Sequence, residues 1–340
     1  MATNTDYKPI IGVLLGDSTG VGPEIVAKCM VAKVYDEVCR PIFIGDLRIV
    51  AEGLKTFGGE ATYYGIENVE DADWSKGYPV LDTKDQDPAR IKMGAPDPYC
   101  GAAGVEAFKL ACRLCKEGKI EGFCFGPYHK AAMIEGGCEF ESEHTLIAHE
   151  LGATRYCETN VVDGLMTVRC TSHVPVKEIS DHLCIDRVLE ISTLGYETAV
   201  NMGIENPRLG VAGLNPHCGE NGLCGMEEIE IISPAIKILQ ERGINAIGPI
   251  SSDILFIRAF KKREFDVAVT MYHDQGQIAT KLHGFEGGIT VSGGQPYPVV
   301  TCGHGTAYGR AGQGRASEKS FENAIRMTAR MCVARKAKEA

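Results

Sequence analysis

Positive charge is scarce in this 340-residue chain: 35 Lys and Arg stand against 45 Asp and Glu, a formal net charge of −10. A nucleic-acid groove needs a basic surface, so that class of partner is excluded. A local basic pocket, and with it a small anionic substrate, remains compatible with the balance. Long apolar runs are missing at the start too. The segment MATNTDYKPIIGVLLGDSTG holds only a few apolar residues in a row before Gly16-Asp17. That is too short for a secretory leader or a membrane span, and a cytoplasmic protein is expected. No internal repeat or low-complexity segment is found. Hydrophobic residues at 44% and charged residues at 24% are ordinary for a globular protein. The length suits two lobes or one large α/β domain.

Cysteine, by contrast, is plentiful at fourteen residues. A chain of this size needs no disulfide staples, so the cysteines are expected as small buried hydrophobes of a reducing compartment. Cys112 and Cys115 have redox spacing, but they sit inside a helical pattern with no turn before them, which favours packing.

Apolar runs alternate with helical patterns through the first half. Ile10 to Asp17 and PIFIGD read as strands. PEIVAKCMVAKV, LRIVAEGLKTF and a segment from about Gly104 to Lys116 read as helices, and IEGFCFGP as a further strand. This rhythm predicts an α/β fold with a mostly parallel sheet covered by helices on both faces. The middle differs: VVDGLMTVRCTSHVPV is strand-like without a crossover helix, and a long helix is expected from about Val176 to Met202. RLGVAGLNPH is read as a strand, GMEEIEIISPAIKILQERG as a helix, and FDVAVTMYHDQG as a strand whose glycine opens a turn. A Gly-rich stretch and a helix from about Ser317 to Lys336 close the chain.

Three of the strand-like runs end in histidine: MTVRCTSH at His173, LGVAGLNPH at His217 and VAVTMYH at His273. Ligands of α/β sheets bind beyond the carboxyl ends of strands. Three imidazoles delivered there suit a divalent cation with open positions for substrate or water. Asp274 is placed to add a ligand or to orient an imidazole. Each histidine merely satisfying its own hydrogen bonds is the bland alternative. A rival centre, a structural zinc on His217, Cys218 and Cys224, lacks a paired-cysteine motif. GDSTGVGPEI offers a phosphate cradle at a helix N-terminus, although a tight strand–helix turn explains its glycines equally well. No GxGxxG dinucleotide fingerprint is present.

The motifs GDSTGVGPEI, GPYHK (Gly126 to Lys130), EHT (Glu143 to Thr145), TSHVPV, GLNPHCGENG, MYHDQG with Lys281, and GHGTA together resemble the 4-hydroxythreonine-4-phosphate dehydrogenase family. That family includes dehydrogenases of phosphorylated four-carbon sugar acids and of terephthalate cis-dihydrodiol. The resemblance implies an isocitrate/isopropylmalate dehydrogenase-like two-lobed fold with a central mixed sheet and an active-site cleft. It places residues 1–130 with about 280–340 in a cofactor-side lobe, and about 131–279 in a lobe carrying the metal ligands and the dimer interface. His173, His217 and His273 are implied to bind a divalent ion, with the third supplied across a homodimer interface. Zinc leads the candidates, ahead of manganese, magnesium, cobalt and nickel.

The implied chemistry is hydride transfer from a secondary alcohol, β to a carboxylate, to NAD or NADP, commonly followed by decarboxylation. Lys281, Asp253 and Asp274 are implied as catalytic or supporting groups, and His144, Thr145 and Lys281 as substrate contacts. The cofactor's adenosine end is implied to lie on the turn of His304, Gly305, Thr306, Ala307 and Arg310.

Departures from the family pattern bear on the substrate. Thr290 and Val299, implied as further substrate contacts, stand where phosphate-handling members carry asparagine and arginine, which removes a fork suited to phosphate. Glu143 replaces a glycine before His144. Gly309 replaces an aspartate suited to the NAD ribose, and Arg310 beside it favours a 2′-phosphate. Two alternatives stand beside the leading one: a cis-dihydrodiol carboxylate dehydrogenase that restores an aromatic ring, and an inactive metal- or ligand-binding homologue.

Overall fold

The computed structural model describes residues 7–284 and 286–339. Two compact units divide the chain, one formed by residues 7–154 with 295–339 and the other by 155–294. Their boundaries lie later than the sequence reading places them. The helix Glu143–Leu151 packs Leu146, Ile147 and Leu151 into the core of the first unit, and so carries residues 131–154 with it. At the other end, residues 289–293 pair with a strand of the second unit.

The first unit is built on six strands: β1 (Ile10–Leu14), β2 (Arg40–Gly45), β3 (Tyr63–Ile66), β4 (Tyr78–Asp82), β5 (Gly122–Phe125) and, near the C-terminus, β12 (Val299–Cys302). Their order is β3-β4-β2-β1-β5-β12, and every pairing is parallel. α-Helices cross from β1 to β2, from β2 to β3 and from β4 to β5, as parallel pairing favours, whereas only a 3₁₀ turn at Val69–Asp71 lies between β3 and β4. The helix Pro98–Lys116 begins six residues before the expected Gly104, because Asp97 caps it by accepting from the Tyr99 N–H and Pro98 suits its first turn. PEIVAKCMVAKV breaks at Lys33, whose φ of 56° ends one helix at Val31 and starts a short second one at Val34. The core gathers Phe108, Phe123 and Phe125, with the Phe108 and Phe125 rings meeting edge to face at 4.9 Å.

The second unit holds β6 (Cys157–Val162), β7 (Leu165–Arg169), β8 (Leu209–Ala212), β9 (Ala246–Ile250), β10 (Val267–Thr270) and β11 (Ile289–Gly293). Their order is β11-β6-β7-β10-β8-β9. β11–β6 and β6–β7 are antiparallel, whereas β7–β10, β10–β8 and β8–β9 are parallel. The strand-like run without a crossover helix is therefore a hairpin. Asp163 and Gly164 form its turn with φ of 49° and 81°, the left-handed geometry that Asp-Gly favours.

Two expectations are corrected in this unit. No long helix spans Val176 to Met202: short 3₁₀ turns at Val176–Glu178 and Ser180–His182 precede a helix over Ile185–Asn201. Only Ile179 and Leu183 are buried in that leading stretch, so no apolar stripe exists to hold a helix down. His273 opens a helix, His273–Gly284, where a turn is expected. Gly276 lies inside that helix, close against Thr270, where an added Cβ would meet the threonine side chain at 3.4 Å.

All fourteen cysteines are free, and ten of them are buried, as a packing role requires. Burial pushes the Cys112 thiol up to about 12 and holds Cys115 higher still, so neither of the closely spaced pair is a ready nucleophile. No helix among the described residues is long and apolar enough to cross a membrane.

Candidate active site

Three parallel strands of the second unit, β7, β10 and β8, stand side by side. Their carboxyl ends therefore share one sheet edge, and the three histidines leave from it. His173 lies four residues beyond β7, His273 three residues beyond β10, and His217 five residues beyond β8. The middle strand of the three delivers His273. Its ring centroid is 6.2 Å from that of His173, with the planes inclined by 36°.

The second nitrogen of each ring matters as much as the first. His273 Nδ1 lies 2.7 Å from Asp274 Oδ1, and His217 Nδ1 lies 2.7 Å from Glu220 Oε1. A carboxylate on Nδ1 fixes the ring and leaves Nε2 as the free donor, the arrangement that metal-binding histidines use. The hydrogen bond that the His217 ring donates to Glu220 also raises the His217 pKa above its ordinary value. Asp253 is exposed, accepts from the Ser251 hydroxyl at 2.6 Å, and is held below its ordinary range by that bond first. Lys281 sits in the last turn of the helix that His273 begins, and its ammonium is exposed without a carboxylate partner among the described residues.

His217 reaches its place at a conformational cost. His217, Cys218, Gly219, Glu220 and Asn221 all take positive φ, between 45° and 75°. For each non-glycine residue this geometry costs roughly 1–2 kcal/mol. The buried Glu228 offsets the strain: one oxygen accepts from the Asn215 N–H at 2.7 Å and the other from its side-chain amide at 3.0 Å. Gln275 ties two strand ends together. It donates to Gly213 O beyond β8 at 2.8 Å and accepts from Met271 N beyond β10 at 2.6 Å. Asn215 and Gln275 sit inside motifs already quoted, but no spacing rule marks them as clamps. Glu220 too lies inside a quoted motif, GLNPHCGENG, whereas Glu228 carries no sequence signal beyond its charge.

Among the described residues, no three His, Cys, Asp or Glu side chains are gathered closely enough to enclose an ion. The three histidines therefore do not close on a cation within one chain, and neither do His217, Cys218 and Cys224. The donor set nevertheless suits one, because both carboxylate-oriented rings present free Nε2 atoms.

In the first unit, His144 is buried and Thr145 half-buried at the start of the helix Glu143–Leu151. Ser142 caps that helix, accepting from Thr145 N at 3.2 Å and pairing with the Thr145 hydroxyl at 2.9 Å. The Glu143 Oε2 atom is buried without a hydrogen-bond partner. His304 turns its Nδ1 to Gly305 O at 3.0 Å, Gly305 is exposed, and Ala307 adopts a φ of 47°. Arg310 is exposed and pairs with no carboxylate among the described residues.

This turn is not free-standing. The Thr306 carbonyl accepts from Val21 N at 3.0 Å, and a Cβ on Gly20 would meet that carbonyl oxygen at 2.8 Å. The buried Asp17 accepts from Thr19 N at 2.9 Å and from the Tyr308 hydroxyl at 2.9 Å. The Gly-rich start of the chain thus braces the 304–310 turn, and its glycines are explained by close approach. Val299 is fully buried in the core of its unit. Thr290 is 5% exposed and receives a hydrogen bond from Asn160.

Known proteins resemble the chain over nearly its whole length. The family model described as pyridoxal phosphate biosynthetic protein PdxA matches residues 37–328. A D-threonate 4-phosphate dehydrogenase of Cupriavidus necator is 34% identical, over 97% of this chain and 99% of its own. A solved 4-hydroxythreonine-4-phosphate dehydrogenase from Burkholderia phymatum is 36% identical with a TM-score of 0.81, covering 96% of this chain and 99% of that one. A terephthalate 1,2-cis-dihydrodiol dehydrogenase from Burkholderia xenovorans is 25% identical with a TM-score of 0.65, covering 95% and 98%.

Proposed function

The chain belongs to the PdxA family, and on that premise we propose that it is a divalent-metal- and NAD(P)-dependent dehydrogenase oxidising a secondary alcohol β to a carboxylate, with decarboxylation following. That it is an oxidoreductase of CH–OH groups is the coarse part of this reading, common to the relatives' names. The finer part is carried by one observation: the adjacent parallel strands β7, β10 and β8 bring His173, His273 and His217 to one exposed sheet edge, with His273 Nδ1 already engaged by Asp274. A cation held there would acidify the substrate hydroxyl and stabilise the enolate left by decarboxylation, while a bound nicotinamide would accept the hydride.

The chain's own groups supply the rest. Asp274 and Glu220 hold the imidazole rings. Lys281 is free to grip the substrate carboxylate or to return a proton to the carbon that loses it. Asp253 adds negative charge beside His217. His144 and Thr145 are assigned to substrate, and the turn from His304 to Arg310 to the adenosine end of the cofactor. Arg310, with no carboxylate against it, suits the 2′-phosphate of NADP.

A homodimer with the cation site shared between subunits is part of the same reading. His173, His217, Asp253 and Lys281 all lie exposed on the second unit. Large apolar side chains stand among them: Leu223 is 87% exposed, Leu282 84%, Ile278 58%, and Ile254 and Ile257 each 45%. A face so apolar calls for a covering partner, and a second copy would bring the missing imidazole. A two-lobed fold of the isocitrate and isopropylmalate dehydrogenase kind, with its cleft, completes the proposal.

The relatives' names point to a small phosphorylated hydroxy acid. Here the arginine expected at 299 is a buried valine, and Glu143 keeps an unpaired oxygen beside His144. Those observations favour a second reading, an aromatic cis-dihydrodiol carboxylate. Turnover of phosphorylated four-carbon hydroxy acids and of dihydrodiol carboxylates, with manganese or zinc and either cofactor, separates the two by reduced nicotinamide and released carbon dioxide. No turnover, together with no calorimetric binding of NAD or NADP by the metal-loaded protein, would identify an inactive homologue instead.

A further inference from the structure

On the proposed reading, one chain brings His173 and His217 to a cation, and the partner subunit supplies the third imidazole. The two segments leave strands that do not touch, because β10 stands between β7 and β8. Close to the sheet, each is tied to the end of β10: Thr171 N donates to Met271 O at 3.1 Å, and Gln275 Nε2 donates to Gly213 O at 2.8 Å. Those ties stop two residues short of His173 and four short of His217.

Farther out, a single carboxylate joins the segments. Glu227 Oε1 accepts from the Ser180 hydroxyl at 2.5 Å, and Glu227 Oε2 accepts from Asn215 Nδ2 at 2.7 Å. Ser180 follows His173 in the run of 3₁₀ turns that Ile179 and Leu183 anchor to the core. Asn215 opens the strained turn, two residues before His217. Its amide also donates to Glu228 Oε2 at 3.0 Å, so two consecutive carboxylates grip one side chain. The Ser180 bond first, with Asn215 adding to it, holds the Glu227 carboxyl below its ordinary range, so both oxygens accept. A π-helical turn, Glu228–Ile232, begins beside the pair, and such turns occur frequently at functional sites.

We propose that Glu227 is a positioning residue for the cation site: it bridges the His173 and His217 segments and sets the separation of the two imidazoles that one chain contributes. This rests on the reading of those histidines as cation ligands. Stability is a poor explanation for the bridge. Glu227 is half-buried and Ser180 exposed, and hydrogen bonds at such surface positions add little. Nor does the bridge require charge. A glutamine carbonyl can accept from Asn215 while its amide donates to the Ser180 oxygen, whereas a leucine of similar size offers neither group.

Cobalt(II) titration of the metal-free protein, followed by calorimetry and by the visible spectrum of the bound ion, tests the bridge without turnover. Glu227→Leu is expected to weaken cobalt binding about tenfold and to alter the spectrum, as loss of a group that orients ligands does. Ser180→Ala cuts only the His173 side and should weaken binding in the same direction, even if the leucine variant fails to fold or to associate. Glu227→Gln should stay within about twofold of wild type, because both hydrogen bonds can re-form. Unchanged affinity and spectrum in Ser180→Ala, or in folded Glu227→Leu of wild-type association state, would overturn the proposal. Equal losses in Glu227→Gln and Glu227→Leu would overturn it too, assigning the effect to negative charge near the ion. His217→Ala, run in parallel, separates the two levels. If it binds cobalt as wild type does, the cation reading itself fails. If it loses cobalt while Glu227→Leu and Ser180→Ala keep it, only the positioning role fails.

Discussion

The two units solve the problem of building a site in opposite ways. In the first, the turn proposed for the cofactor is braced internally: Thr306 and Asp17 are buried, and strand, loop and glycine approach are all accounted for within one chain. In the other unit, the candidate residues stand at the surface on a strained loop and on a helix's first turn, amid exposed isoleucines and leucines. Folding alone finishes the braced turn. On the proposed reading, the histidine site is finished only by association, and this contrast yields direct tests.

The largest effect is expected at the imidazoles. His273→Ala should lower kcat by about 10³-fold, since a metal ion supplies several kcal/mol of transition-state stabilisation. Cofactor affinity, measured by calorimetry, should stay near wild type because the 304–310 turn belongs to the other unit. Comparable losses in both measurements would erase the division of labour.

Next in size is the apolar face. Ile257→Asp places a charge among residues that a partner is expected to cover, and should weaken self-association by about 10²-fold. Light scattering across a dilution series reads this directly, and activity should fall with the dimer. An unchanged association state would mean that the exposed isoleucines serve another purpose.

A smaller shift is expected in the first unit. Arg310→Ala should raise KM for NADP about tenfold and leave KM for NAD nearly unchanged, if the guanidinium meets the 2′-phosphate. Equal changes for both cofactors would place Arg310 away from the ribose.

The smallest effect concerns stability. Burial pushes the Asp266 carboxyl up, but the Arg208 guanidinium and backbone N–H, at 2.9–3.0 Å, outweigh it and hold its pKa below the ordinary value. A lowered folded-state pKa gives stability that is present above the unfolded pKa and lost as pH falls through the folded one. Asp266→Asn should therefore lower Tm by about 2 °C at neutral pH, and the gap should close in acid below the carboxylate range. A gap independent of pH would assign the loss to packing.

Much of this contrast is legible in the residues alone. Alternating apolar and helical runs announce the parallel sheet, and three strand-like segments ending in histidine announce a shared edge, which β7, β10 and β8 provide. Local pattern is blind to pairing. It leaves the Asp163-Gly164 hairpin as an unexplained strand-like run and extends a helix across Val176–His182, where the apolar stripe gives out. Nor does spacing reveal clamps such as Glu228 on Asn215 or Glu227 on Ser180, because their meaning arises only when distant segments meet. Val299 is placed by gapless alignment where phosphate-handling members carry an arginine, and its burial in the core shows only once the chain is folded.

The central claim is that one cation is held by imidazoles from two subunits, and subunit complementation tests it most directly. His217→Ala and His273→Ala, each inactive alone, are unfolded together and refolded as a mixture. If the two residues serve one site from different chains, half of the dimers are mixed and each carries one intact site, so about a quarter of wild-type activity should return. No recovery from a mixture shown to contain heterodimers would contradict the account.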